Sequence, residues 1–164
     1  SIFILSWQDY VINSKSKISL NTNYFSSYLS FFIAFQIGLV ILLTSFSNEL
    51  IYFTTPADFH NAAKYFPILL ISSAFASFCG FYGAFYLKEK RTKKIFTTTL
   101  IGSIINIAFC IALINYLGLY AVAVASFVGF LITFLLRSRD FELKVDVKNF
   151  AFLLLGYSLS LIHI

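Results

Sequence analysis

Two uncharged apolar segments, Tyr65 to Leu87 and Ile95 to Leu117, flank the densest run of charge in the chain, Lys88-Glu89-Lys90-Arg91-Thr92-Lys93-Lys94. Each segment holds 23 residues. At about 1.5 Å per helical residue that length reaches roughly 34 Å, enough to cross a hydrocarbon core of about 30 Å. A segment inside a bilayer must satisfy its own backbone hydrogen bonds, which leaves only a helix or a closed barrel. The hydrophobicity is continuous rather than alternating, so the barrel is excluded. The charged run is therefore a tight basic turn between two membrane helices.

The rest of the composition agrees. Hydrophobic residues make up 59% of the chain and charged residues 12%, against about 25% charged in a soluble domain, and mean hydropathy is +0.85. The expected fold class is all-α, a polytopic transmembrane bundle within one transmembrane domain over 1–164. Four complete spans are expected at about 24–47, 65–87, 95–117 and 119–136, with partial helices at 1–12 and 149–164. The lack of any Met and the apolar end at Ile164 read as a piece of a longer protein, and no basic n-region precedes the first apolar residues as a signal peptide would require. The net charge of +5 does not point to nucleic acid, because the basic residues sit between spans and report orientation.

That orientation is one-sided. The loops at 13–21, 88–94 and 137–148 hold eleven of the twelve Lys and Arg, and the alternate connections at 48–64 and 118 hold only Lys64. The positive-inside rule places the first set in the cytoplasm. Within 48–64, Thr55-Pro56-Ala57-Asp58 reads as a helix start, with Thr as cap, Pro in the first position and an acid in the first turn, so a short interfacial helix to about Lys64 is expected. Pro67 falls in the first turn of the next span, where its missing N–H is tolerated. Gly118 makes a very short turn between the third and fourth spans.

Small residues recur every four positions: Ser72, Ala76, Gly80 and Ala84; Thr98, Gly102, Asn106 and Cys110; Ala121, Ala125, Gly129 and Thr133; and, more briefly, Ser30, Ala34 and Gly38. Residues four apart share a helix face, and in lipid such strips let neighbouring backbones approach closely. All acids and all Lys and Arg fall in loops or at span ends. Cys79 and Cys110 lie within spans without metal-ligand spacing and read as small apolar residues. His163, alone in a truncated helix, reads as incidental. No catalytic group, cofactor site or metal ligand set is expected. Gln36 and Asn106 are amides within spans, costly to leave facing lipid. They either hydrogen-bond between helices or line a substrate cavity. Asn115 is close enough to a span end to be interfacial.

Between Tyr65 and Arg137 the sequence resembles the polysaccharide-biosynthesis flippases, the O-antigen (Wzx-type) branch of the multidrug/oligosaccharidyl-lipid/polysaccharide exporter superfamily. The resemblance rests on several short stretches. Phe66-Pro67-Ile68-Leu69 opens a span and is followed by the basic turn with Lys93. Ile105-Asn106-Ile107 comes next, with Leu113-Ile114, then Gly118-Leu119-Tyr120-Ala121-Val122-Ala123-Val124-Ala125-Ser126 and a closing Arg137. Trp7-Gln8-Asp9-Tyr10, followed by Lys15 and Lys17, is similar to the preceding helix end. Family members tend to have Gly and Ala at the positions of Ala121 and Val122, Thr at Ser126 and a second Asn at Cys110. The resemblance implies a section of the C-terminal half of a protein with twelve to fourteen helices, from the end of helix eight into helix thirteen. Such proteins carry an undecaprenyl-pyrophosphate-linked oligosaccharide, as for lipopolysaccharide, across the bacterial inner (plasma) membrane by alternating access, which implies that location for this chain. Partners implied are that lipid-linked substrate, the bilayer, and the polysaccharide polymerase and chain-length machinery. The alternatives are a cation-coupled drug or metabolite exporter or a lipid-linked peptidoglycan precursor flippase of the same superfamily, and then a polymerase or membrane glycosyltransferase.

Overall fold

The computed structural model describes residues 2–13 and 22–141. Six α-helices form, and no strand occurs among the described residues: α1 (Ile2–Asn13), α2 (Thr22–Ser45), α3 (Ser47–Thr54), α4 (Phe66–Lys88), α5 (Thr92–Leu117) and α6 (Leu119–Phe141), with a 3₁₀ segment, Ala57–Lys64, between α3 and α4. Four helices, α2, α4, α5 and α6, are long and apolar enough to cross a membrane, so the chain is a multi-pass membrane protein. The expected partial helix at 149–164, His163, and the loop residues 14–21 and 142–148 lie outside the described residues.

The turns explain themselves locally. At the basic turn Lys90 adopts φ 57°, and its N–H and that of Arg91 bond back to Leu87 O (3.0 Å) and Tyr86 O (2.8 Å). A left-handed residue closing a helix with a bond five residues back satisfies the last carbonyls, at a cost of roughly 1–2 kcal/mol because the residue is not glycine. Gly118 takes φ 54° and ψ −130°, a conformation open to glycine alone, and lets α6 follow α5 after one residue.

The connection after the first span departs from expectation. Only one residue, Phe46, separates α2 from a further helix, α3. Thr55 does not cap the next segment; its hydroxyl donates to Ile51 O at 2.6 Å, and its extended backbone (φ −126°, ψ 149°) is what Pro56 imposes on the residue before it. The segment from Ala57 to Lys64 is accordingly 3₁₀ and has no side-chain cap bond.

The helices stack in layers. The central helix α4 packs α1 and α2 on one side and α6 on the other, while α5 lies beyond α6 and barely touches α4. Aromatic rings fill the first seam: Trp7 stacks on Phe81 at 4.3 Å between centroids, Phe32 stacks on Phe81 at 5.6 Å, and Trp7 Nε1 donates to Phe81 O at 3.3 Å. Phe141, at the end of α6, meets Tyr86 edge-on at 4.7 Å.

The seam between α5 and α6 is built from backbone. A Cβ on Gly102 would stand 2.8 Å from Gly129 O and overlap the Thr133 hydroxyl, and one on Gly129 would stand 2.9 Å from Gly102 O. The two helices cross where both lack a side chain, as small-residue packing in lipid requires. Gly80 faces only the Ile4 side chain at 3.5 Å, and Gly38 has nothing within 4 Å. The Ser30, Ala34, Gly38 strip is thus unpacked at Gly38 within the described residues.

Candidate functional site

The chemistry of the bundle gathers at Arg137. The sequence places this residue at the start of a charged loop, but α6 continues to Phe141 and Arg137 is only 5% exposed. The reason is visible in the four-residue strip, since Ala121, Ala125, Gly129, Thr133, Arg137 and Phe141 are all buried residues of one helix. The strip carries on through Arg137, and apolar Phe141 one turn later holds the helix end against α4.

Direction then decides depth. In a helix the Cα–Cβ bond tilts toward the N-terminus, and α6 ends at the basic end of the bundle, beside the start of α5, where Lys94 Nζ meets Asp140 at 2.8 Å. The Arg137 side chain is turned in between α4 and α5 rather than out toward water, as Arg near a span end usually is. Its Nη1 donates to Cys79 O at 2.6 Å. Cys79 O points along α4 toward Gly83, where a Cβ would stand 3.8 Å from Nη1; Gly83 is five residues before Lys88, a depth of about 7 Å.

Neutral acceptors hold the guanidinium. Nε donates to Thr98 Oγ1 at 3.0 Å, and Nη2 donates to Thr99 Oγ1 at 2.9 Å and Ile95 O at 3.4 Å. Both hydroxyls are already spent as donors within α5, Thr98 to Lys94 O at 2.9 Å and Thr99 to Ile95 O at 2.8 Å. Their lone pairs are what remain for Arg137. Among the described residues two ion pairs form, Arg91 with Glu89 at 3.1 Å and Lys94 with Asp140 at 2.8 Å, and neither includes Arg137. The guanidinium is thus held by neutral groups, with no carboxylate partner among the described residues.

A cavity of about 230 Å³ adjoins it, bounded by α4, α5 and α6 and lined by Arg137, Thr99, Ser103, Asn106 and Thr133 together with the small residues Gly80, Gly102 and Gly129. It exists because α4 and α5 both contact α6 but scarcely each other, leaving a polar-walled gap above the glycine crossing. Of the two amides singled out in the sequence, Asn106 lines this cavity. Gln36 is half-buried on α2, in the other layer, and does not border it. Arg137, which carries the charge of the site, is missed by a reading that ends the span at its minimum length.

No protein-family model matches the chain, and no solved structure does. Among curated proteins it is 29% identical over 109 residues to the "Probable lipid II flippase MurJ" of Borreliella burgdorferi. The match covers 63% of this chain and 21% of that protein, so the chain spans about a fifth of the length of the relative it resembles.

Proposed function

We propose that the chain is a section of a flippase that carries a polyprenyl-diphosphate-linked saccharide across the membrane. The similarity to a probable lipid II flippase carries this reading, and the polysaccharide-flippase pattern from Pro67 to Arg137 supports the same class. A saccharide head cannot cross about 30 Å of hydrocarbon unaided, so the protein must offer it a polar, alternately open path. In this chain the candidate for such a surface is the cavity beside Arg137, where one cation suits an anionic linkage and the Asn106 amide suits passing hydroxyls. Gln36, on the other layer, is a candidate for a wall completed by other helices. The protein acts as a transporter, with residues 88–94 on the cytoplasmic side of the inner membrane.

Two substrates share this chemistry. The relative favours a peptidoglycan precursor, and the sequence pattern favours the repeat unit of an O-antigen or other surface polysaccharide, handed on to a polymerase and its chain-length machinery. Depletion of the gene separates them. Accumulation of lipid-linked peptidoglycan precursor on the cytoplasmic face assigns the first, accumulation of oligosaccharide units there with loss of surface polysaccharide assigns the second, and normal outward appearance of both pools rejects the flippase. Units that appear outside but remain unpolymerised indicate a polymerase.

A further inference from the structure

A second cleft, of about 370 Å³, lies on the other side of the α5–α6 seam and shares no lining residue with the Arg137 cavity. Its walls are Lys93, Lys94, Thr97, Thr98 and Ile101 from α5 and Leu136 and Asp140 from α6. These residues follow one another in depth. Lys93, Lys94 and Asp140 stand at the basic end, the two Thr one turn in, and Ile101 about 12 Å below Lys93 at 1.5 Å per residue, with Leu136 one turn inside Asp140. The cleft thus changes from cationic rim to hydroxyl to apolar floor over the depth at which a phospholipid changes from phosphate to ester to acyl chain.

Charge at the rim is positive in spite of Asp140. Lys94 Nζ holds both carboxylate oxygens, at 2.9 and 2.8 Å, and Tyr86 donates to one of them at 2.8 Å. Lys93, by contrast, has no side-chain partner among the described residues and is exposed, in a turn whose one acid, Glu89, is taken by Arg91. Thr97, Ile101 and Lys94 are exposed as well, so among the described residues the cleft opens away from the bundle. Basic pockets between membrane helices at this level are suited to anionic headgroups.

We propose that this cleft is a binding site for one anionic phospholipid of the adjoining leaflet, its phosphate at Lys93 and its first acyl methylenes against Ile101 and Leu136. The proposal does not rest on the transport reading: Lys93 and Ile101, the residues that test it, touch neither Arg137 nor the cavity beside it. The test is native mass spectrometry of the intact protein released from nanodiscs of mixed phosphatidylcholine and phosphatidylglycerol. Wild type should retain phosphatidylglycerol in preference. Lys93→Gln should lower that retention about fivefold, the factor that ~1 kcal/mol per basic residue near an anionic surface produces. Ile101→Trp, which fills the floor and leaves every charge in place, should lower it as much, while Lys90→Gln, in the turn but outside the cleft, should change it little. Equal losses for Lys93→Gln and Lys90→Gln, retention unaffected by Ile101→Trp, displacement of the lipid by inorganic phosphate, or no preference over phosphatidylcholine would each overturn the site.

Discussion

Arg137 Nη1 lies 2.6 Å from the carbonyl oxygen of Cys79, so the last turn but one of α6 is tied to the middle of α4 by a charge that no carboxylate balances among the described residues. A charge without a carboxylate partner lowers stability, by less than the about 2.5–3.5 kcal/mol that insertion scales give at the bilayer centre, and replacing buried ionic groups with apolar ones of similar volume is often neutral or stabilising. Arg137→Met should therefore leave the melting temperature of the purified protein unchanged or raised. A large fall would identify Arg137 as a structural brace between α4 and α5. Arg137→Lys keeps the charge but cannot reproduce the planar fork that reaches Cys79, Thr98 and Thr99 together, and should be the less stable of the two.

The glycine crossing gives a graded series. Gly102→Leu and Gly129→Leu drive a side chain into a facing backbone carbonyl, which cannot step aside, and each should destabilise by more than about 3 kcal/mol or prevent folding. Gly80→Leu meets only the end of Ile4 and should be milder. Gly38→Leu has open space in the described structure and should fall within about 0.5 kcal/mol of wild type. Thermal unfolding in detergent ranks them; equal effects at Gly38 and Gly129 would remove the crossing from the account.

Much of this was readable in the sequence, and what was not has a physical reason. Lys88–Lys94 between two uncharged segments gives α4, α5 and the turn, because a bilayer leaves few alternatives to a helix. The four-residue strips mark contact faces, but periodicity alone does not say which faces meet, so Gly80 and Gly129 read as equivalent although one meets a flexible side chain and the other a backbone. Arg137 was hidden for a related reason. Charge reads as loop, and only the continuation of the strip from Thr133 through Arg137 to Phe141 signals that the helix goes on. The break at Phe46 and the 3₁₀ geometry after Pro56 depend on backbone details that a polar connection does not reveal.

Orientation can be read chemically. With Cys79 and Cys110 replaced by Ala, His60→Cys should react with a membrane-impermeant thiol reagent added to intact cells, and Lys90→Cys should not, since eleven of the twelve Lys and Arg fall on the side of residue 90. The reverse pattern would invert the topology.

The polar wall of the cavity makes a separate claim about water. The amide of Asn106 makes no hydrogen bond among the described residues and shares the cavity lining with Ser103, Thr133 and Arg137. An amide left unpaired in hydrocarbon would cost several kcal/mol, so the cavity should be hydrated. Asn106→Cys should be alkylated by a water-soluble maleimide, and Ile111→Cys, on the exposed apolar face of α5, should not. Protection of both would mean a dry cavity.

The most direct test joins the buried charge to transport. In cells depleted of the gene and complemented with wild type or Arg137→Met at equal protein levels, the fraction of lipid-linked saccharide exposed on the outer face is measured. The account predicts that Arg137→Met keeps its fold and lowers that fraction at least about tenfold, a loss of ~1.4 kcal/mol or more in the transport step. Outward transport equal to wild type by a stably folded Arg137→Met protein would contradict it.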